Sequence, residues 1–314
     1  MADYAIPTSF EALREADDIV VSSSGGIDSL VTLLHAFEVC REAGALEKLS
    51  VIHADMGEQE HSGSADLVRA QCAAFGVPLT IVRRNVAPAC AAGTCAHPGP
   101  PDRGSLIDQW EHKQTHSRVG ASNCQGTSDH KTGPIRRHYT ALTKRHAGPR
   151  AHRLIEVVGL AAHEGNARRN RLQGGGKKGL APKTPSPLGG RFECSTDSKL
   201  TNTKRFVTTW WPIADVAKAD IWREADRSAA QYGADIDRDV YAVLPRYSCQ
   251  ICVFASRDAL NVSAQRNPAL FARAVAIETT WGRAWDSRFS LADVAADVAA
   301  GRTVDKATNW GDQS

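Results

Sequence analysis

The stretch VSSSGGIDSL, residues 21–30, joins an apolar run to a segment with the apolar spacing of a helix. The run that leads into it, DIVVS at 18–22, is typical of a short buried strand. After it, leucines and a phenylalanine recur between Ser29 and Cys40 at intervals that place them on one helix face. The sequence therefore predicts a strand, a short loop rich in serine and glycine, and a helix.

A loop between a strand and a helix presents backbone N–H groups at the positive end of the helix dipole. Because Gly25 and Gly26 have no Cβ, an anion can approach the backbone closely, and Ser24 and Ser29 supply hydroxyl donors. A glycine pair on its own is also typical of a simple turn. The strand before the loop and the helix after it favour a phosphate-binding loop over such a turn.

The alternation of strand and helix continues after the loop. LSVIHAD at 49–55 and PLTIVRRN at 78–85 predict strands, and the residues from about 64 to 75 predict a helix. This order is typical of an α/β fold, a parallel sheet with helices on both faces. Ligands of such sheets bind at the carboxyl ends of strands, so we expect the loop and the HAD tripeptide to share one rim. Asp55 in that tripeptide has two interpretations, contact with a ribose or metal and capping of the following turn.

The pattern also predicts a domain organisation. We expect a nucleotide-binding α/β domain over 1–213 and a mainly helical C-terminal region over 214–314. Between about 87 and 128 the periodicity gives way to Pro, Gly, Cys and His, which indicates a long irregular insertion. GGGKKGLAPKTPSPLGG at 174–190 has the composition of a flexible loop.

Composition excludes several classes of protein. The 314 residues are 42% hydrophobic and 23% charged, as is ordinary for a globular protein in water. No window contains 18 uninterrupted apolar residues, and the N-terminal stretch is acidic without an apolar core. We therefore expect no membrane association and a cytoplasmic location.

Basic residues are concentrated in one part of the chain. The net charge is only +3, yet residues 131–183 contain thirteen Lys and Arg against two acidic residues, Glu156 and Glu164. Such a run can follow the phosphates of DNA or RNA. It is equally consistent with a solvated basic face, so the sequence leaves both interpretations open.

Eight cysteines in a chain without a secretory signal do not indicate a disulfide framework. The spacing of Cys249 and Cys252 suits a single metal ion, a redox pair or part of an iron–sulfur cluster, and a pair of buried thiols is the alternative. A cluster needs four thiolates. The candidates for the other two are Cys124 and Cys194, with Cys90 and Cys95 as competitors.

Six histidines fall in the basic, irregular part of the chain, and they have no regular ligand spacing. We interpret most of them as surface residues and predict no histidine-bound metal. They are the histidines at 112, 116, 130, 138, 146 and 152.

The string Ser24-Gly-Gly-Ile-Asp-Ser29 resembles the SGGxDS signature of the PP-loop ATP pyrophosphatases. It lacks the lysine and the longer glycine spacing of a Walker loop. The resemblance implies a Rossmann-like adenine-nucleotide α-hydrolase fold, ATP held by its pyrophosphate, and Asp28 helping to place Mg²⁺. A carboxylate beside phosphates is repulsive unless a cation lies between them. The nucleotide-binding residues so implied are Ser22, Ser24, Gly25, Gly26, Ile27, Asp28, Ser29, His53, Asp55 and Gly159.

Four further stretches are similar to one branch of that family, the phosphoadenosine-phosphosulfate (PAPS) reductase-like proteins, which include the ATP pyrophosphatases of DNA phosphorothioation. They are VIHADMGEQEH at 51–61, TSDHKTGPI at 127–135, VVGLAAHEGNARR at 157–169 and RYSCQICVFAS at 246–256. The resemblance implies catalytic roles for Asp28, Lys131 and Arg168. It also implies a [4Fe–4S] cluster, for which Cys124, Cys194, Cys249 and Cys252 are the candidate ligands.

The chain departs from the pattern of this branch at several positions. Ala161 stands where the branch has an arginine, Gly165 where it has a serine, and Thr132 where it has a second arginine. Reductases of the branch use a cysteine in a C-terminal ECGxH-like tail, whereas the last cysteine here is Cys252. The resemblance therefore favours an ATP-using relative over a reductase.

Three functions follow as hypotheses. The first is adenylation of a substrate by ATP in preparation for sulfur transfer, with DNA or RNA held by the basic residues and a cysteine desulfurase or another sulfur donor as partner. The second is reduction of PAPS or adenylyl sulfate by an internal cysteine. The third, suggested by Ala161, is a non-catalytic nucleotide-binding subunit.

Overall fold

The computed structural model describes residues 10–115, 124, 126–176, 179–247 and 249–307. The strands are β1 (Asp18–Ser22), β2 (Leu49–Asp55), β3 (Leu79–Arg83), β4 (His152–Val158), β5 (Thr184–Pro185), β6 (Arg191–Cys194) and β7 (Arg205–Trp211). The helices are α1 (Phe10–Glu15), α2 (Ile27–Ala43), α3 (Ser64–Phe75), α4 (Pro88–Ala91), α5 (Leu106–Lys113), α6 (Gly133–Arg145), α7 (Asn166–Gln173), α8 (Lys218–Tyr232), α9 (Arg238–Val243), α10 (Arg257–Arg266), α11 (Pro268–Trp281) and α12 (Leu291–Ala299).

The chain forms two compact units, each assembled from separated segments. The first unit comprises the residues up to His53, Ala65–Ile81 and Arg136–Ile236. The second comprises Ala54–Ser64, Val82–Ile135 and the residues from Asp237 onward. The helix α8, which the sequence assigned to a C-terminal region beginning at 214, belongs to the first unit.

One seven-stranded sheet has the order β3-β2-β1-β4-β7-β6-β5. β1 pairs in parallel with both β2 and β4, and β4 pairs in parallel with β7. β6 and β5 close one edge with antiparallel pairing. β1 contains a run of buried apolar residues, Ile19–Val21, as expected for a parallel strand covered on both faces, whereas β4 also carries polar residues. The predicted α/β fold with a mostly parallel sheet is confirmed.

The helix α2 is held by the apolar residues that predicted it. Leu30, Leu33, Leu34 and Phe37 are all buried. The Phe37 ring lies 5.5 Å from that of Tyr232 on α8, centroid to centroid. Burying side chains of this size contributes roughly 1.5–3 kcal/mol each, which fixes the start of α2 against the end of β1.

The second unit has a core of its own, formed by residues of α5, α10, α11 and α12. Trp110 and Trp285 pack edge to face at its centre, with ring centroids 5.6 Å apart. α5 lies inside the segment predicted to be an irregular insertion, so that prediction was wrong for residues 106–113. The sequence concealed the helix because Asp108, Gln109 and His112 on it are polar yet buried.

The 174–190 segment also contains more structure than its composition indicates. It includes β5 and an isolated bridge between Gly175 and Leu180. Lys177 and Lys178 lie outside the described residues. Its flexibility stays a prediction. Among the described residues, no helix is both long and apolar enough to cross a membrane.

Candidate functional site

The predicted phosphate-binding loop lies between β1 and α2, where Ser23–Gly26 makes the turn. Gly25 has φ +83°, a left-handed conformation that favours glycine. Gly26 is the N-cap of α2, with φ −72° and ψ 163°, and it has no side chain with which to cap the helix. The positive end of a 17-residue helix therefore begins at the loop without a capping side chain, an arrangement suited to an anion.

Serine side chains fix the conformation of this loop. The Ser29 hydroxyl donates to the carbonyl oxygen of Gly26 at 2.8 Å and accepts the N–H of Ser24 at 3.3 Å. The Ser23 hydroxyl accepts the N–H of Gly25 at 3.2 Å. Ser24 is exposed, so its hydroxyl faces solvent beside the glycines. These hydrogen bonds set the conformation of the loop before any ligand binds.

Two side chains support the loop from the rest of the first unit. His53 donates from Nδ1 to the carbonyl oxygen of Ser23 at 3.0 Å. Gln71 on α3 donates from Nε2 to the carbonyl oxygens of Gly25 at 3.1 Å and Asp235 at 2.9 Å. The sequence singled out His53 but not Gln71. The one available signal was its position: Gln71 lies among the apolar residues of the predicted helix, such as Val68 and Cys72, and it is buried in the structure.

Asp28 lies in the first turn of α2 and is half-buried. Burial and the neighbouring carboxylate of Glu164 raise the pKa of Asp28 to about 6, against the opposing charges of His163 and Arg168. A carboxylate whose charge is disfavoured by its surroundings gains from a cation. The donor chemistry therefore fits a hard divalent ion such as Mg²⁺.

Gly159 directly follows β4, and close packing against α2 leaves no room for a larger residue at this position. A Cβ there would lie 2.8 Å from Thr32 Oγ1 and 3.1 Å from the carbonyl oxygen of Asp28. The end of β4 therefore lies directly against the first turns of α2. Contact of Gly159 with a nucleotide stays a prediction.

Arg168 forms an ion pair with Glu164, four residues earlier. The Glu164 carboxylate also accepts the N–H of Ala161 at 3.3 Å. Arg168 and Glu164 thus have structural roles in the segment that follows β4. The catalytic role of Arg168 stays a prediction.

Ser22 and Asp55, the last residues of β1 and β2, both have partners in the fold. Ser22 donates a hydrogen bond to the buried hydroxyl of Tyr139. Asp55 accepts the N–H of Gly57 at 2.7 Å and the Nε–H of Arg83 at 2.8 Å. Asp55 therefore caps the turn after β2, one of its two predicted roles. Its contact with a ribose or metal stays a prediction.

Three cysteines and a lysine form a second group, in the second unit, which we term the three-thiol group: Cys124, Cys249 and Cys252 with Lys131. Cys249 donates a hydrogen bond to the sulfur of Cys252, and the N–H of Phe254 donates to the same sulfur at 3.4 Å. These donors lower the pKa of Cys252 to about 6 although the thiol is buried. Cys252 therefore has the character of a thiolate, the form that binds metals and attacks electrophiles.

Lys131 lies on a π-helical segment, Gly126–Thr132, which leads into α6. Burial opposes its charge, but the neighbouring Cys249, Glu60, Cys252 and Cys124 raise the pKa of Lys131 above its ordinary value. The predicted catalytic lysine thus lies beside the thiols. Helices of the π type occur often at functional sites.

Cys194, the fourth predicted ligand, lies at the end of β6 in the first unit. Burial raises its pKa, and Thr208 donates a hydrogen bond to it. The three-thiol group supplies the soft sulfur donors that iron–sulfur clusters take, and therefore fits part of the predicted [4Fe–4S] site. Cys194 as its fourth ligand stays a prediction. Cys90 and Cys95, the competitors, lie instead with two histidines.

The interpretation of the histidines as surface residues was wrong for most of those described. His112, His130 and His152 are buried, and His116 lies outside the described residues. Each buried ring is held by a polar partner; His152, for example, bonds to Asp18 at 2.7 Å. Burial lowers the pKa of His130 to about 4, so that ring is neutral. The spacing of the histidines along the chain did not reveal these contacts, because each polar partner lies far away in sequence.

The basic run from 131 to 183 is partly neutralised within the first unit. Among the described residues of the run, these form ion pairs there: Arg136 with Asp197, Arg150 with Asp17, Arg153 with Glu15, Arg168 with Glu164, and Lys183 with Glu193. A structural role therefore accounts for part of the charge. Binding of DNA or RNA by the remainder stays a prediction.

Comparison with protein-family models gave no match, and comparison with curated proteins gave none. Among solved structures, the chain is similar to the PAPS reductase of Candida auris in its phosphate complex, with 14% identity and a TM-score of 0.41 over 76% of this chain and 85% of that chain. It is also similar to the U34-tRNA thiolase NcsA of Methanococcus maripaludis with its [4Fe-4S] cluster, with 14% identity and a TM-score of 0.36 over 87% of this chain and 77% of that chain. At these TM-scores the likeness is partial in both cases.

Proposed function

We propose that this chain is a PP-loop ATP pyrophosphatase of the PAPS reductase-like family, which adenylates a substrate oxygen in preparation for sulfur transfer. The observation that carries the proposal is the loop between β1 and α2. It combines a left-handed Gly25, a start of α2 at Gly26 without a capping side chain, and the hydroxyls of Ser23 and Ser29, which fix the loop backbone. These groups suit the pyrophosphate portion of ATP.

The chemistry is a displacement at the α-phosphorus of ATP. An oxygen of the substrate forms a bond to that phosphorus, and the bond from the α-phosphorus to the bridging oxygen of pyrophosphate breaks. Negative charge accumulates on the departing pyrophosphate, where the backbone amides at the start of α2 stabilise it. A hydrosulfide then attacks the activated carbon: a carbon–sulfur bond forms, the carbon–oxygen bond breaks, and AMP leaves with the oxygen. Where the donor is a persulfide, its terminal sulfur attacks in the same way, and a thiol then cleaves the S–S bond, which leaves one sulfur on the carbon and a disulfide between the thiol and the donor.

Asp28 is the residue that would hold magnesium at this loop. A bound Mg²⁺ supplies positive charge that offsets the repulsion between phosphate oxygens and carboxylate. The raised pKa of Asp28 means that a cation is favoured there more than at an ordinary exposed carboxylate. Glu164, which contributes to that shift, increases the preference for a cation.

The three-thiol group would hold an iron–sulfur cluster through Cys124, Cys249 and Cys252. When bound, such a cluster supplies redox and sulfur-binding chemistry. The pKa of Cys249 is raised well above its ordinary value, and the positive charge of Lys131 opposes that rise, while the N–H of Phe254 adds a donor to Cys252. Both interactions favour the deprotonated sulfur that iron requires.

The acceptor that we propose is a nucleic acid, bound through exposed basic residues of 131–183 such as Lys144 and Arg145 at the end of α6. The sulfur donor that we propose is a cysteine desulfurase or another persulfide carrier. Both partners follow from the chemistry of thiolation, which needs an anionic polymer and a source of reduced sulfur.

Exchange of labelled pyrophosphate into ATP tests the proposal. The full chain is incubated with Mg·ATP and either bulk tRNA or duplex DNA, and the variants are Asp28→Asn and Asp66→Asn. Asp66 is a matched control because it lies in the first turn of α3 and is exposed. We expect nucleic-acid-dependent exchange that falls about 100-fold in Asp28→Asn and is unchanged in Asp66→Asn. Absence of exchange with every acceptor contradicts the proposal.

The lowered pKa of Cys252 favours a second candidate, reduction of a sulfonucleotide by an internal cysteine. In that reaction the thiolate attacks sulfur, the adenosine phosphate leaves, and a second thiol releases sulfite with formation of a disulfide. The same protein given PAPS and a dithiol reductant distinguishes the two functions. Sulfite release that is lost in Cys252→Ser, without pyrophosphate exchange, supports the reductase.

A further inference from the structure

A compact group of two cysteines and two histidines lies in the second unit, apart from the residues assigned above. One ligand atom from each of Cys90, Cys95, His97 and His112 lies within 4.8 Å of the other three. In a tetrahedral zinc site with sulfur and nitrogen ligands, bond lengths near 2.0–2.3 Å separate ligand atoms by roughly 3.3–3.8 Å. The four side chains therefore surround a volume close to that of one ion. We infer that Cys90, Cys95, His97 and His112 bind a single structural Zn²⁺.

The histidine geometry on α5 is that of a metal ligand. His112 is buried, and its Nδ1 lies 2.7 Å from the carbonyl oxygen of Pro100. A carbonyl oxygen only accepts, so Nδ1 carries the proton and the lone pair is on Nε2. That Nε2 lies 3.1 Å from the sulfur of Cys95. A backbone acceptor that fixes the tautomer and ring orientation is the usual outer partner of a zinc-binding histidine.

The two thiols also have the environment of ligands. Cys90 and Cys95 are hydrogen-bonded to each other, and neither forms a disulfide. The N–H of His97 donates to the sulfur of Cys95, two residues earlier. Such a donor stabilises the thiolate that zinc needs, and it fixes the short turn that brings His97 toward the site. The rings of His97 and His112 have centroids 4.9 Å apart.

The segment needs an anchor because it has no core. Every residue from 83 to 101 is described, and none of them is buried. Even so, the segment lies directly against α5: the N–H of Gly99 donates to the carbonyl oxygen of His112 at 3.0 Å, and a Cβ on Gly99 would lie 1.9 Å from a backbone oxygen of Glu111. Apolar burial cannot supply this order, whereas a metal ion that crosslinks the segment to α5 does.

The donor set distinguishes zinc from iron–sulfur. Two imidazoles and two thiolates around one small volume suit tetrahedral Zn²⁺. A [4Fe–4S] cluster takes four thiolates, and this group has two. The second unit thus contains two kinds of thiol site, and the inference about zinc does not depend on the proposed ATP chemistry.

The test is the metal content of the full chain under reducing conditions, together with the absorption of the protein when Co²⁺ is supplied instead of zinc. We expect about one zinc per chain, and a cobalt form with the visible bands of a tetrahedral site and thiolate-to-cobalt charge transfer. Cys95→Ser and His112→Gln should each reduce retained zinc at least about 10-fold. Cys95→His keeps four ligands, so it should still bind cobalt with weaker charge transfer.

Two controls make the outcome decisive. Cys72→Ser removes a buried thiol from α3 of the first unit, and Cys249→Ser with Cys252→Ser removes the pair from the three-thiol group. Both should retain zinc. Wild-type protein that binds neither zinc nor cobalt overturns the inference. The inference is also overturned if the Cys249→Ser, Cys252→Ser double variant loses its zinc while Cys95→Ser retains it. Circular dichroism of each variant separates loss of the ligand from loss of the fold, and the Cys95→His variant provides a folded test.

Discussion

Asp28 in the first unit and Lys131 in the second are buried or half-buried charges with opposite surroundings. Asp28 lies near another carboxylate, Glu164, and its charged form is disfavoured. Lys131 lies near Glu60 and three thiols, and its charged form is favoured despite burial. The charge of Asp28 therefore lowers the free energy of unfolding, whereas the charge of Lys131 is compensated by groups of the chain itself.

The difference indicates what each site requires. A carboxylate whose charge is disfavoured, beside the predicted phosphate-binding loop, is typical of a ligand site that lowers the stability of the free protein. A cation that binds there favours the charge and removes this loss of stability. A compensated lysine among thiols instead needs no added ligand, because groups of the chain itself favour its charge. Neutralising the two charges should therefore change the free energy of unfolding in opposite directions.

The largest effect is expected for Asp28→Asn. The pKa of Asp28 is about 6 in the folded protein, above its ordinary value of 3.8. Between these values the folded chain keeps a proton that the unfolded chain has lost, so the free energy of unfolding falls as the pH rises. Above pH 6 Asp28 is charged in both the folded and the unfolded chain, and the free energy of unfolding has fallen by its full amount, about 3 kcal/mol or less. The variant should be about 2–3 kcal/mol more stable than wild type at pH 7.5.

Urea unfolding at several pH values measures this. The difference between variant and wild type should shrink toward zero as the pH falls to 4, because Asp28 is then protonated. Saturating Mg·ATP should remove the advantage of the variant at pH 7.5. A variant with the same pH dependence as wild type contradicts the assignment of Asp28 as the unfavourable charge.

A smaller effect, of opposite sign, is expected for Lys131→Met. The substitution removes the positive charge while keeping the length of the side chain, so Glu60 loses a partner and the free energy of unfolding should fall by about 1–2 kcal/mol at pH 7.5. Lys131→Arg keeps the charge and is the control. If the Met variant is as stable as wild type, the two charges do not differ in the way described.

The smallest effect is expected for Gly159→Ala, which disturbs the position of Asp28 without changing a charge. The new methyl group would contact Thr32 Oγ1 and the carbonyl oxygen of Asp28, at a cost of about 1 kcal/mol and a several-fold rise in KM for ATP. In a double-mutant cycle, the cost should be lower when Thr32 is Ala. Equal costs in both backgrounds would show that the close approach of β4 to α2 is not the reason for the glycine.

The sequence predicted the features that depend on neighbours along the chain. The strand, loop and helix over 18–43 follow from apolar spacing and two glycines, since a turn between a strand and a helix is set by local backbone conformation. The parallel orientation of β1 and β2 follows from the alternation of strands and helices. α5 did not follow, because its buried polar residues interrupt the apolar pattern.

Tertiary structure alone determined which distant side chains meet. Gln71 supports the loop at Gly25, 46 residues earlier, and His112 meets Cys95 across 17 residues. Lys131 lies near Cys249 and Cys252, which are more than a hundred residues away in sequence. None of these pairs has a spacing that predicts contact, because packing between separate elements sets the distances. The sequence by itself determined the strand, loop and helix over 18–43, and only the fold determined which charge is compensated and which cysteines have histidines as partners.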